Sequence, residues 1–390
     1  MSEQLTSIDG LLEQMVALGA SDLHVTVGSP PAFRIRGEIA RAEGFQPFTA
    51  DDTRSLLYRI LSSEQQKHFE LNRQLDFAYS MPGLARFRVN VYYQREAVGA
   101  AFRLIPQEIK SLEELQLPAI LHSLAEYPRG LVLVTGPTGS GKSTTLAAII
   151  DEINRNRSEH ILTVEDPIEF VHRHKRCIVN QREIGPDTPS FGAALKAALR
   201  QDPDVILVGE MRDLETISTA LTAAETGHLV FGTLHTQSAP STIDRIIDVF
   251  SPEQQEQVRI MIAGSLQAVV TQALLPTADG SGRVAALEIL LPDDAVRNLI
   301  RQAKIEQVYS IMQTNTLRGM QTMEQALADL ALRHVINVDE AISRSSRPDQ
   351  LIGILERSGM NVEAALASAH QPHAPMLQQP TAPALRMAGS

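Results

Sequence analysis

The sequence predicts an α/β protein in which a small mixed α/β domain precedes a larger domain with a mostly parallel sheet. From residue 130 onward predicted strands and helices alternate, which is typical of a parallel sheet covered by helices on both faces. Residues 86–92 alternate polar and apolar side chains, which indicates a half-buried strand in the first domain. A glycine-rich segment at 136–143 stands between a predicted strand and a predicted helix. These three observations predict the fold class.

The first domain is predicted to cover residues 1–106. It opens with a helix that ends near Gly19, and its last two strands form a hairpin that turns at Arg95 and Glu96. Residues 107–118 have no strong apolar period and are predicted to be a linker. The strands expected in this domain cover 23–27, 32–35, 77–80, 86–93 and 98–104.

The larger domain is predicted to cover residues 119–370, with helices following its core sheet. Its expected strands are 131–135, 161–164, 205–208 and 229–234, and its expected helices are 143–155, 190–200, 213–226, 252–275 and 293–345. Residues 371–390 contain four prolines in twenty residues, so a disordered tail is expected there.

Composition excludes several classes of function. A chain of 390 residues with 43% hydrophobic and 21% charged residues is ordinary for a globular protein. The net charge of −11 argues against broad nucleic-acid binding, and no nucleic-acid partner is expected. The single cysteine, Cys177, excludes an internal disulfide and a four-cysteine zinc site. Neither a signal peptide nor an apolar run of about 18 residues is found, so a cytoplasmic location is expected.

Residues 136–143 fit the phosphate-binding pattern G-x-x-x-x-G-K-[ST]. A strand that turns through glycines into a helix directs backbone N–H groups and the helix dipole at one point, which suits a polyphosphate. Lys142 can reach the β and γ oxygens, and the Ser143 hydroxyl can bind Mg²⁺. A nucleoside triphosphate with Mg²⁺ is therefore the predicted ligand. The predicted nucleotide-binding residues are Gly136, Pro137, Thr138, Gly139, Ser140, Gly141, Lys142, Ser143 and Thr144.

Three further strands end in polar side chains, at Glu165, Glu210 and His235. Ligands of doubly wound sheets bind at the carboxyl ends of the strands, so these side chains are expected beside the phosphates. Glu210 is predicted to hold Mg²⁺, partly through water, and Glu165 to polarise the attacking water. The reverse assignment of the two glutamates stays open. His235 is predicted to contact the γ-phosphate.

Four segments together resemble the secretion ATPase superfamily, which powers type II secretion and type IV pili. They are the Walker A segment 136–143, an Asp box at 163–172, a Walker B segment at 202–213 and a His box at 227–236. The resemblance implies a PAS-like N-terminal domain joined to a RecA-like ATPase domain in a homohexameric ring. It also implies that N-terminal arginines, here Arg88 and Arg103, complete the ATP site. Such arginines are worth about 10³–10⁵ in rate in well-studied NTPases.

Segments 20–24, 180–183, 295–301 and 319–323 resemble the retraction motors of this family. The resemblance implies twitching motility, a place at the inner face of the cell membrane at the pilus base, and two partners, a PilC-like platform protein and a PilU-like ATPase. A PilU-like accessory motor, or an assembly or type II secretion ATPase, is the alternative. Segment 295–301 is expected to transmit motion, so that replacing Leu299 and Ile300 should spare ATP hydrolysis.

Two other classes of function compete with this interpretation. A DNA-translocating ATPase is disfavoured by the acidic balance of the chain. A nucleotide-switched scaffold that does not hydrolyse ATP is disfavoured because Lys142, Glu165 and Glu210 occur together.

Overall fold

The computed structural model describes residues 7–35, 37–105 and 108–369. These residues form two compact units, one that ends at Glu108 and one that begins at Ile109. The predicted tail at 371–390 lies outside the described residues. The predicted domain boundaries at 106 and 118 stay predictions.

The first unit contains a six-stranded antiparallel sheet in the order β3-β2-β1-β6-β5-β4. Two of its helices, α2 and α3, were not predicted, although each begins with a capping box that the sequence displays. The hairpin at Arg95 and Glu96 is confirmed, and both residues have positive φ. The elements are α1 (Ile8–Ala17), β1 (Asp22–Val25), β2 (Ala32–Ile35), β3 (Glu38–Arg41), α2 (Ala50–Tyr58), α3 (Ser63–Asn72), β4 (Gln74–Met81), β5 (Ala85–Gln94) and β6 (Ala97–Ile105).

The second unit contains a seven-stranded sheet in the order β13-β12-β7-β11-β10-β8-β9. Within it β13 is antiparallel to β12, and the other pairings are parallel. The elements up to α9 are α4 (Ile120–Glu126), β7 (Gly130–Thr135), α5 (Lys142–Asn156), β8 (His160–Glu165), β9 (Ile178–Glu183), α6 (Phe191–Ala198), β10 (Val205–Val208), α7 (Leu214–Glu225), β11 (Leu229–Leu234), α8 (Ala239–Ile247) and α9 (Pro252–Ser265).

Two strands and a helical extension complete this unit. They are β12 (Leu266–Pro276), β13 (Arg283–Leu290), α10 (Asp294–Arg301), α11 (Val308–Thr314), α12 (Met323–Leu332), α13 (Val338–Arg344), α14 (Pro348–Arg357) and α15 (Val362–Ala369), with 3₁₀ turns at Ile305–Gln307 and Thr316–Arg318.

The centre of this sheet is apolar and carries the candidate site on one edge. Every residue of β7, β10 and β11 is buried, as expected of parallel strands covered on both faces. Val208 of β10 pairs with Val164 of β8 and with Gly232 of β11. Because these strands run in parallel, the segments that follow them meet at one edge of the sheet.

The predicted helix 252–275 is wrong in its second half. The helix ends at Ser265, and residues 266–276 form β12, while β13 was not predicted at all. Most of β12 is buried, so its apolar residues do not alternate, and periodicity cannot distinguish such a strand from a buried helix. The β-branched run at 269–271 favours the strand.

The expectation for Ile300 also needs correction. Ile300 and Val296 on α10 have 0% exposure and belong to the apolar core of the second unit. Replacing Ile300 would therefore damage the unit that holds the candidate site. On the same helix Asn298 and Arg301 are exposed.

The predicted α/β fold class is confirmed. A mixed unit with an antiparallel sheet precedes a larger unit with a mainly parallel sheet and a helical extension. Within the described ranges, no helix is both long enough and apolar enough to cross a membrane.

Candidate nucleotide site

A cavity of about 410 Å³ opens at the carboxyl edge of the parallel strands. Its walls bring together most of the residues that the sequence predicted. Gly136, Pro137 and Ser140 belong to the same loop but do not line the cavity. The lining residues, all from the second unit, are Thr138, Gly139, Gly141, Lys142, Ser143, Thr144, Glu165, Asp166, Pro167, Glu169, Phe191, Gly209, Glu210, Thr233, His235, Leu274 and Arg283.

Two glycines of the loop stand where a side chain does not fit. Gly136 has a φ of +132°, and a Cβ there would lie 2.3 Å from the Gln272 carbonyl oxygen. Gly141 precedes α5 with a φ of +90°, and its Cβ would lie 2.7 Å from Gln272 Nε2. Both positions need a left-handed backbone, which glycine adopts at low cost. The glycines thus let the loop pack on β12.

Gln272 supports the loop from β12 and was missed by the sequence reasoning. It is 3% exposed, and its Oε1 accepts a 2.8 Å hydrogen bond from Thr145 Oγ1 on α5. One residue earlier on β12, Thr271 Oγ1 lies 2.8 Å from Thr135 Oγ1 at the end of β7. The segment was predicted to be helical, so no sequence signal placed these side chains beside the loop.

Lys142 begins α5 and directs its ammonium group back over the loop. Its Nζ donates hydrogen bonds to the carbonyl oxygens of Gly136, at 2.8 Å, and Pro137, at 3.0 Å. Burial lowers the pKa of Lys142, and the nearby charges of Glu210 and Glu169 oppose that shift. The cation therefore lies between the loop and the carboxylates across the cavity.

Glu165 ends β8 and is held by two donors. Thr163 Oγ1 and Gln181 Nε2 donate to its Oε1 at 2.7 and 3.1 Å. Burial raises the pKa of Glu165 despite these hydrogen bonds. A carboxylate with a raised pKa is a better proton acceptor at neutral pH. Glu169, which is exposed, lines the same cavity.

Glu210 and His235 approach each other across neighbouring strand ends. His235 Nε2 lies 3.1 Å from Glu210 Oε1, and Arg212 Nε donates to the same oxygen. The Glu210 side chain is 18% exposed and that of His235 is 44% exposed. The predicted pair therefore forms one polar cluster at the cavity.

Arg283, at the start of β13, is a cation that the sequence reasoning did not include. It is exposed and lines the cavity together with Leu274 of β12. Since neither strand was predicted, no pattern in the sequence indicated that these two side chains reach the site. Arg283 supplies positive charge from the same unit as Lys142.

The two predicted arginines of the first unit lie side by side on its sheet. Arg88 on β5 is directly opposite Arg103 on β6, so both side chains project from one face. Arg103 Nε pairs with Asp22 Oδ1 at 2.7 Å. Although burial opposes ionisation, hydrogen bonds from Ser21 and Arg103 lower the pKa of Asp22. Both arginines are exposed, and their role at the nucleotide stays a prediction.

The oxygen donors of the cavity fit Mg²⁺ bound together with a nucleotide. Ser143 and Glu210 offer a hydroxyl and a carboxylate, and Mg²⁺ prefers oxygen ligands that include substrate phosphates and water. Among the described residues no group of three or more His, Cys, Asp or Glu side chains could hold a metal by itself. The oxygens of Ser143 and Glu210 suit a metal that is shared with phosphates.

Comparison with known proteins agrees with this geometry. The sequence profile described as "Type II/IV secretion system protein" matches residues 5–342. The type IV pilus retraction ATPase PilT of Pseudomonas aeruginosa is 51% identical over 342 residues, 88% of this chain and 99% of that protein. The type IV pilus ATPase PilU of the same organism is 42% identical over 341 residues, 87% of this chain and 89% of that protein.

A solved structure extends the likeness to the fold. The crystal structure of the pilus retraction motor PilT with bound ADP superposes with a TM-score of 0.84 and 52% identity, covering 90% of this chain and 99% of that chain. The matches span both units and the P-loop cavity. The chain therefore belongs to the type II/IV secretion system protein family.

Proposed function

We propose that the protein is an ATP-hydrolysing motor that retracts type IV pili. The observation that carries the proposal is the cavity that combines a P-loop, Glu165, Glu210 and His235. The identity of 51% to PilT against 42% to PilU favours the retraction motor over the accessory motor. The working form is a homohexamer at the inner face of the cell membrane, where it acts on a PilC-like platform protein.

The loop and α5 bind the triphosphate. Backbone N–H groups at the start of α5 and the Lys142 ammonium neutralise the phosphate oxygens. The Ser143 hydroxyl and the Glu210 carboxylate would hold Mg²⁺, which when bound neutralises charge on the β and γ oxygens. His235, anchored 3.1 Å from Glu210, contacts the γ-phosphate.

Glu165 acts as the general base in this mechanism. Its position at the end of β8 and the donors on Oε1 orient the carboxylate, and its raised pKa lets it take a proton from the attacking water. Arg88 and Arg103 complete the site from the N-terminal domain, where a guanidinium neutralises charge that develops on the γ-phosphoryl group. Movement of that domain converts hydrolysis into force.

Three isosteric variants test the assignment of the carboxylates. Glu165→Gln should lower kcat by about 10²–10⁴, the usual worth of a general base, while nucleotide affinity stays near that of the parent. Glu169→Gln is the matched control from the same cavity and should keep most of its activity. If Glu165→Gln keeps full ATP turnover while Glu169→Gln or Glu210→Gln loses it, the general base is instead the glutamate whose replacement abolishes turnover.

Deletion of the gene tests the direction of force. Cells with more surface pili that no longer twitch support retraction, and complementation with Lys142→Ala should fail to restore twitching. Cells without pili would instead indicate an assembly motor. Cells that twitch normally under low load would indicate the PilU-like accessory role.

A further inference from the structure

Glu288 is a buried carboxylate on β13 that the proposed chemistry does not use. Its side chain is 3% exposed, and its Oε1 accepts a 2.6 Å hydrogen bond from the backbone N–H of Ala239 at the start of α8. The backbone N–H of Met323, the first residue of α12, also donates towards this carboxylate. Helix dipoles favour negative charge at such positions. One side chain thus contacts the first turns of two helices.

Glu288 lies in a row of residues that crosses the sheet beside the nucleotide cavity. It pairs with Thr271 on β12, which in turn pairs with Thr135, the last residue of β7. The P-loop starts immediately after Thr135, and α8 starts four residues after His235. The contact from Glu288 to Ala239 therefore ties the segment 235–238 to the strands that carry the P-loop.

On the side of the helical extension, a second buried acid lies on α12. Glu324 is 1% exposed, and it accepts hydrogen bonds from Tyr309 Oη at 2.7 Å and from Ser345 Oγ at 3.0 Å. The charged groups that act on Glu288 are Glu324 and Arg347. No cation of the described chain lies within ion-pair distance of either buried glutamate. Buried acids without a cation are costly to stability, so a use other than stability is expected.

We propose that Glu288 is a positioning residue for ATP hydrolysis, whose ionised form holds the segment 235–238 beside the nucleotide and links it to α12. This inference rests on the proposed function. The ionised carboxylate accepts both N–H groups with full charge, whereas the protonated form offers a weaker acceptor.

The protonation of Glu288 gives the proposal a signature. Burial and the charge of Glu324 raise the pKa of Glu288 to about 7, although the hydrogen bonds from Ala239 and Met323 and the charge of Arg347 oppose the shift. As the pH rises through this range, the ionised form that positions the segment becomes populated and kcat should rise. Stability should already fall as the pH rises from about 4.5 to about 7, because the folded state prefers the neutral acid. A purely structural role would move activity and stability in the same direction.

The test compares the full-length parent, Glu288→Gln and the matched variant Tyr309→Phe. At pH 8 we expect Glu288→Gln to melt no lower than the parent, yet its kcat for ATP should be at least about tenfold lower. Its KM should change less than kcat, and its kcat should not rise near pH 7. Tyr309→Phe should melt lower with an unchanged kcat. Amide hydrogen exchange in 235–241 should be faster in Glu288→Gln than in Tyr309→Phe.

Equal kcat and equal pH profiles for the parent and Glu288→Gln would overturn the proposal. If Glu288→Gln does not fold, the pH profile of kcat in the parent and in Glu324→Gln still tests the proposal. Removal of the Glu324 charge should lower the pKa of Glu288, so kcat should rise at lower pH in Glu324→Gln than in the parent. A rise at the same pH in both proteins would contradict the role of Glu288. Lack of ATP turnover by the parent would refute the proposed function instead, and the hydrogen-exchange comparison would then test the contact separately.

Discussion

The P-loop glycines offer a matched pair of substitutions. Gly136 and Gly139 both have a left-handed φ, +132° and +81°. A Cβ at Gly136 would lie 2.3 Å from the Gln272 carbonyl oxygen, whereas a Cβ at Gly139 meets nothing within 4 Å. Gly136→Ala therefore adds a collision with β12 to the backbone strain, and Gly139→Ala adds strain alone.

The difference between the variants can be worked out from these distances. To restore ordinary van der Waals contact, the loop at Gly136→Ala must move by about 1.1 Å from β12. Strain in a left-handed backbone costs about 1–2 kcal/mol, and forced overpacking costs about 1–3 kcal/mol more. Gly136→Ala should therefore lose about 2–5 kcal/mol of stability and Gly139→Ala about 1–2 kcal/mol. A displacement of this size should also cost about 10²-fold in turnover.

Scanning calorimetry of the two full-length variants measures this difference. For a unit of this size, each kcal/mol lowers Tm by about 2–4 °C, so Gly136→Ala should melt several degrees below Gly139→Ala. Parallel ATP turnover assays follow the displacement of the loop. Equal Tm losses in the two variants would refute the argument that contact with Gln272 dictates glycine at position 136.

Three further predictions use other parts of the second unit. Arg283→Gln should raise KM for ATP by about 10–100-fold, which corresponds to the loss of one charge-assisted hydrogen bond, and should leave Tm unchanged. An unchanged KM in steady-state assays would show that Arg283 does not contact the nucleotide. Because the folded state raises the pKa of Glu288 from 4.5 to about 7, its contribution to stability is complete below pH 4.5 and is lost as the pH rises to 7, about 3 kcal/mol in all. The Tm of Glu288→Gln relative to the parent should accordingly rise between pH 5 and pH 8, and a difference that does not vary with pH would contradict this. Ile300→Ala should cost about 2–5 kcal/mol of stability. Arg301 is exposed, so Arg301→Ala should keep the Tm and ATP turnover of the parent but impair twitching. Normal twitching by Arg301→Ala would refute a role of this helix in transmitting motion.

Local patterns were sufficient for the phosphate-binding half of the site. The glycines and Lys142 act through backbone geometry within eight consecutive residues, so the sequence of this segment is sufficient to predict its structure. Glu165, Glu210 and His235 each follow an apolar strand, and parallel strands end at a common edge. These features depend on short stretches of chain and on one rule of sheet topology.

The residues that β12 and β13 place in or near the site could not be predicted in this way. Gln272, Arg283 and Glu288 lie on β12 and β13, whose burial hides the alternation that marks a strand. Gln272 is hydrogen-bonded to Thr145, Arg283 lines the cavity, and Glu288 is hydrogen-bonded to Ala239. These contacts join residues that are distant in sequence. Ile300 likewise belongs to an amphipathic helix, and only its neighbours reveal which residues face the core.

The sequence by itself determined the fold class, the P-loop and the order of the polar strand ends, because each of these depends on local spacing and on backbone chemistry. The tertiary structure alone decided that β12 supports the loop, that Arg283 reaches the cavity, and that Glu288 joins the first turns of α8 and α12. Those contacts connect residues far apart in the chain, and their energies arise from burial and hydrogen bonding that exist only after the sheet has formed.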